Sequence, residues 1–95
     1  MPEMRMSIRW PDGAEESCYS PSLVLKDYFR AGQSYALADF RDRSRTALTI
    51  ASERVQAKFG FPCTRAAGQL ARIEERCRAF ASLPGAQVRV EAFHE

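Results

Sequence analysis

The chain has a single histidine, His94, next to its last residue. Catalysis by a nucleophile and a base needs a Ser or Cys with a base held within reach. An imidazole on a frayed terminus has no fixed geometry, so no catalytic residues of this kind are expected. Cysteine is scarce as well. Cys18, Cys63 and Cys77 are odd in number, and no two stand in Cys-x-x-Cys spacing. That argues against a disulfide framework and against zinc, which takes three or four converging ligands. No metal and no cofactor are expected. Phosphate-cradling glycine loops, dinucleotide fingerprints and calcium loops are missing. Lysine is limited to Lys26 and Lys58, and the net charge is only +2. A nucleic-acid binder usually gathers basic charge on one face, so this balance gives no support for one. No apolar run approaches the ~20 residues that cross a bilayer. Met1-Pro2-Glu3-Met4-Arg5 lacks a signal-peptide core. A cytoplasmic location without a membrane partner is expected.

What is present is the composition of a globular chain, with 45% hydrophobic and 27% charged residues in a length of 95. That length fits one small domain, 1–95. Met4, Met6, Ile8 and Trp10 alternate with Arg5, Ser7 and Arg9, which is the period of a half-buried strand. Pro11-Asp12-Gly13 supplies a turn, and Glu15–Tyr19 returns as the second arm of a hairpin. Leu23–Phe29 reads as a short helix or irregular segment that Ser22 could cap, followed by a turn at Arg30–Gln33. A helix is predicted from Ala38 to Phe59. Phe40, Ala47, Leu48, Ala51, Val55 and Phe59 fall on one stripe, and Gly60 is its stop. A second helix is predicted from Thr64 to Ala81, entered through Pro62 with Thr64 as cap. Its stripe is Ala66, Ala67, Leu70, Ile73, Cys77 and Phe80, with a Glu74–Arg78 pair outside. Gln87–Ala92 alternates again as a last strand, and Phe93-His94-Glu95 is expected to fray.

The expected architecture is α+β. A small antiparallel sheet, built from the N-terminal hairpin and the C-terminal strand, carries a two-helix hairpin on one face. The expected core is Met4, Ile8, Trp10, Leu48, Val55, Leu70, Ile73, Phe80, Val88 and Val90. A core this modest gains from oligomer contacts, and three strands leave an edge open, so a homodimer is expected.

Several surfaces can be weighed for function. Cys63 stands at the start of a helix, where backbone N–H groups and the dipole favour a thiolate, with Arg65 close by. The alternative is a small residue packed in a tight turn. Cys63, Arg65, Cys18 and Tyr19 would form a reactive or ligand-binding site if they converged. Tyr28, Phe29, Tyr35, Arg41 and Arg45 combine aromatic and Arg character, as protein interfaces do, against the alternative of local packing. Thr64, Arg65, Gln69, Arg72 and Arg76 could face DNA from a recognition helix. Helix length and the interrupting acids Glu53, Glu74 and Glu75 count against that. The acid pairs Glu15-Glu16 and Glu74-Glu75 read as solvated faces.

Arg9-Trp10-Pro11-Asp12-Gly13, Cys18-Tyr19-Ser20-Pro21-Ser22, Ser44–Leu48, Ala51–Val55, Gly60–Ala66 and Gln69–Glu74 together resemble the small bacterial nitrogen-starvation response proteins. The resemblance spans nearly the whole chain, through residue 93. It implies a genetic neighbourhood with a nitrilase, a radical S-adenosylmethionine protein, an acetyltransferase-like protein and a flavin-dependent oxidoreductase. It carries over no catalytic or binding residue. The function expected is that of a non-catalytic accessory protein that binds an enzyme of such a nitrilase cluster. The alternatives are a small enzyme or ligand-binding protein using Cys63, and a DNA-binding regulator.

Overall fold

The computed structural model describes residues 2–95. Seven elements follow one another: β1 (Met4–Arg9), β2 (Glu15–Ser20), α1 (Leu25–Tyr28), β3 (Ser34–Ala36), α2 (Leu37–Phe59), α3 (Thr64–Ala79) and β4 (Gln87–His94). All strand pairings are antiparallel, in the order β2-β1-β4-β3. This is the α+β arrangement expected, with one strand more. Ser34-Tyr35-Ala36 does not simply lead into the helix but pairs with Arg89-Val88-Gln87.

The alternation of β1 turns Met4, Met6, Ile8 and Trp10 into a single core with Cys18, Val88 and Val90 from the flanking strands. Phe40, Ala47, Leu48 and Ala51 of α2, and Ile73 and Cys77 of α3, close over it. Leu70 and Phe80 are only partly buried against this core. Trp10 is its anchor. Its ring meets Phe40 edge-on at 5.7 Å and stacks on Phe80 at 6.1 Å. Its indole N–H donates to Glu16 Oε1 at 3.0 Å, and Arg72 Nε donates to the other oxygen at 2.7 Å. Glu16 is therefore a structural anion rather than part of a solvated acid pair, its side chain being 13% exposed. Glu74 likewise pairs with Arg45 at 2.7 Å, across to α2, and not with Arg78.

Phe29 and Tyr35 belong to this core. They meet edge-on at 5.2 Å, and Phe29 also packs on Phe40 at 5.3 Å. The Tyr35 hydroxyl accepts the Arg30 N–H at 2.8 Å, satisfying the phenol inside the fold. The segment before α2 is thus packed locally, and α1 is a single turn preceded by a Ser22 hydroxyl that accepts the Val24 N–H.

The C-terminus is not frayed. β4 continues through His94, with a bulge at Glu91 where the register against Ser7 and Ile8 shifts. A bulge adds one residue and bends the strand. Here it lets Glu91 reach Arg9 at 2.8 Å on the outer sheet face, and hydrogen bonding from Arg9 holds the Glu91 carboxyl below its usual range. Glu95 closes the end on Lys26 at 2.6 Å.

Candidate functional site: the tip of the helical pair

Gly60 ends α2 in the left-handed conformation, φ 85°, with its N–H on Gln56 O at 2.8 Å. A residue with a Cβ is strained there. Cys63, not Thr64, is the N-cap of α3, and its side chain makes no capping bond. Its own N–H reaches the Ser52 hydroxyl at 3.4 Å. The turn between the helices therefore projects Phe59, Phe61, Pro62 and Cys63 together.

The reason they project is length. The span of α2 from Leu37 to Phe59 is about 33 Å at 1.5 Å per residue. A six-residue strand covers about 20 Å. Even the eight-residue β4 covers only about 26 Å. α2 outruns the sheet, and along it the contiguous core ends at Ala51, with Val55 and Ala66 buried beyond it. Phe59 is 52% and Phe61 63% exposed, their rings tilted against each other at 6.4 Å. Lys58 Nζ stands 5.7 Å from the Phe59 ring centroid.

Beside these rings lies an open cavity of about 330 Å³, lined by Glu3, Tyr19, Pro21, Val55, Phe59, Phe61 and Cys63. Tyr19 comes from β2, where its backbone N–H donates to Gln69 Oε1 at 3.0 Å. That bond covers part of an edge strand that would otherwise be open. The Arg65 guanidinium lies 3.8 Å from the Tyr19 ring centroid and 3.8 Å from Glu3. Arg5 approaches the same ring at 5.7 Å. Burial and the Glu3 carboxylate push the Tyr19 phenol above its usual range despite Arg65.

Of the four residues whose convergence was in question, Cys63 and Tyr19 line this cavity, and Arg65 adjoins it through the Tyr19 ring. Cys18 does neither. It pairs with Met6 on the helix-covered side of the sheet, and burial pushes its thiol up to about 12. Of the five proposed interface residues, Tyr28, Phe29 and Tyr35 line one pocket beside Arg43, and Arg41 and Arg45 lie apart from it. Phe29 and Tyr35 are core. Half-buried Tyr28 offers its carbonyl to Arg43 at 2.8 Å, Arg45 pairs with Glu74, and Arg41 lines a separate cleft at the other end of the helices. The side chains that a DNA-reading α3 would use are drawn to the hairpin. Arg65 lies on Tyr19, Gln69 binds the β2 backbone, and Arg72 holds Glu16. Arg76 lies over Trp10 at 5.4 Å and Phe80 at 5.0 Å.

Two features were missed in the sequence. The stripe of α2 predicts Phe59 as an apolar position facing the core, and the motif Gly60–Ala66 gives no sign that Phe61 is exposed beside it. The signal was the mismatch between a helix of this length and strands this short. His94 sits in β4, with Nε2 2.9 Å from the Ser7 hydroxyl on the exposed sheet face. The bulge hid this placement by breaking the alternation after Glu91. Among the described residues no carboxylate bonds the other ring nitrogen, so the pair lacks the orienting third group that a nucleophile–base site uses.

The fold and this tip define a small α+β protein with a helical hairpin that extends beyond its sheet. Residues 5–93 match the family model described as nitrogen starvation-induced protein NitG, and the chain belongs to that family. Comparison with curated proteins and with solved structures gave no significant match.

Proposed function

We propose that the chain is a non-catalytic, cytoplasmic partner-binding protein of the nitrogen-starvation response. Its partner is an enzyme of the nitrilase-linked gene cluster that the family resemblance implies. The observation that supports this reading is the exposed Phe59–Phe61 pair with its adjoining cavity. Exposed aromatic side chains beside cationic ones are what interface hot spots are made of. Lys58 and Arg65 border the patch, so the fitting partner segment carries an apolar side chain flanked by carboxylates. The tagged chain is expected to co-purify with one of the cluster's enzymes, and a Phe59→Ser/Phe61→Ser variant to lose that enzyme. No binding to any of them at micromolar concentration would sink the idea.

A second reading rests on Cys63, Tyr19 and Glu3 lining one cavity, with Arg65 held beside it on Tyr19 and Glu3. There Cys63 would hold or modify a small ligand. Alkylation rates of the Cys63 thiol as a function of pH decide it. An ordinary thiol profile, with function kept in Cys63→Ser, removes this reading.

A further inference from the structure

At the other end of the helical pair, about 33 Å along α2, lies a second cleft, of about 430 Å³. The first turn of α2, the last turn of α3 and the loop before β4 enclose it. That volume falls within the range of small-molecule sites. Its walls are alkyl, chiefly Leu37, Ala81 and Leu83, with the buried Cys77 at their junction. Burial pushes the Cys77 thiol up, so it stays neutral and adds to the apolar lining. Among the described residues, the only charged side chains lining the cleft are Arg41 and Arg78.

The two guanidiniums are unevenly satisfied. Arg41 bonds only its neighbour Asp42, through Nε at 3.1 Å, leaving the terminal nitrogens without a carboxylate. Arg78 makes no salt bridge among the described residues. Asp39 is taken by Arg43 at 3.0 Å and Glu74 by Arg45 at 2.7 Å, while exposed Glu75, three residues before Arg78 on α3, lies outside the cleft lining. Turn bonds hold the loop wall in place. Leu83 N donates to Phe80 O at 3.0 Å, Ala86 N to Leu83 O at 3.3 Å, and Leu37 N to Ala86 O at 3.2 Å.

We propose that this cleft binds a small aliphatic monocarboxylate, its carboxylate on Arg41 and Arg78 and its tail along Leu37, Ala81 and Leu83. Guanidinium forks match a carboxylate geometrically and form strong charge-assisted hydrogen bonds. A bare phosphate would meet the cations and leave the alkyl wall wet. Among the described residues no aromatic ring lines the cleft, so a nucleobase or aromatic acid finds no stacking partner there. The site does not depend on partner docking at the tip.

Sodium hexanoate titrated into the isotopically labelled protein tests this, with hexylamine and inorganic phosphate in parallel. Hexanoate is expected to give saturable amide shifts at Ala38, Ala81, Leu83 and Ala86, with a dissociation constant of about 1 mM or below. Hexylamine is expected to leave these amides unmoved, and phosphate to bind more weakly. Arg41→Gln/Arg78→Gln is expected to weaken hexanoate by about tenfold or more. Leu83→Asp, at a position 49% exposed, places a competing carboxylate at the mouth without disturbing the core. It is expected to abolish binding, and it decides the matter if the double variant fails to fold. Equal response to hexylamine, equal affinity for phosphate, no saturation, or unchanged affinity in these variants overturns the proposal.

Discussion

The two ends of the helical pair carry the same kind of sequence signal and meet opposite fates. Near the start of α2, Phe40 lies on the apolar stripe and is wholly buried against Trp10 and Phe29. At its end, Phe59 lies on the extension of the same stripe and is half open to solvent. Helical periodicity states which face of a helix is apolar. It does not state whether anything covers that face. Cover is decided by the length of the sheet beneath, and here α2 is longer than any strand of the sheet. The difference separates residues that hold the fold from residues left open to solvent.

The sharpest way to break this comparison is at the covered end. Trp10→Ala removes the ring that touches Phe40, Phe80 and Arg76, and it leaves Glu16 without its indole donor. Large-to-small changes of a buried Trp cost about 3–5 kcal/mol. For a small domain with a stability of about 5–15 kcal/mol, that is a large share of the total. Urea unfolding is expected to show a midpoint shifted far downward. A loss below about 1 kcal/mol would mean that Trp10 is not the anchor of this core.

The same contrast explains what could be read from the chain in advance. β1 and the two long helices were legible because their apolar spacing is regular and their stops, Pro11-Asp12-Gly13 and Gly60, have clear backbone chemistry. β3 was not. Three residues are too few to show alternation, and its partner β4 is remote in sequence. The last turn of α3 ended earlier than Ala81, because Phe80 already leaves helical geometry. Glu16 looked solvated beside Glu15, since nothing local reveals that Trp10 and Arg72 converge on it. At the candidate site, Cys63, Arg65 and Tyr19 were selected by residue chemistry, and their meeting depended on β2 running beside α3. Cys18, one residue from Tyr19, points to the other side of the strand. That is the period-two consequence of any β-strand.

A smaller effect separates core from tip through the thiols. Burial moves the Cys18 thiol from its ordinary 9.0 to about 12, with the Glu16 carboxylate adding and Arg72 opposing. Between those values the unfolded chain gives up the proton while the folded chain keeps it. The stability contributed by the neutral thiol is complete below pH 9 and is lost as pH rises toward 12. Cys18→Ala is therefore expected to unfold less steeply with rising pH over this window than the parent, whatever its stability at neutral pH. In the folded state, alkylating reagents are expected to reach half-buried Cys63 first and buried Cys18 last. Peptide mapping after partial labelling reads the order directly, and labelling of Cys18 ahead of Cys63 would reverse the assignment of inside and outside.

The smallest expected effect is also the most discriminating. Phe59→Ser and Phe61→Ser remove large apolar side chains, a change that inside the core would cost several kcal/mol. At the tip both rings are more than half exposed and outside the contiguous core, and Phe59 is the last residue of α2, where helix propensity counts least. Surface changes of this kind stay within about 0.5 kcal/mol. The double variant is therefore expected to unfold at the same urea midpoint as the parent while losing its partner. Because stability and binding are read on the same two substitutions, the outcomes do not blur. A destabilised variant would mean that the tip is a satellite of the core. A stable variant that still binds would move the docking surface elsewhere. Only a stable variant that no longer binds leaves the tip as a surface whose apolar character exists for something outside this chain.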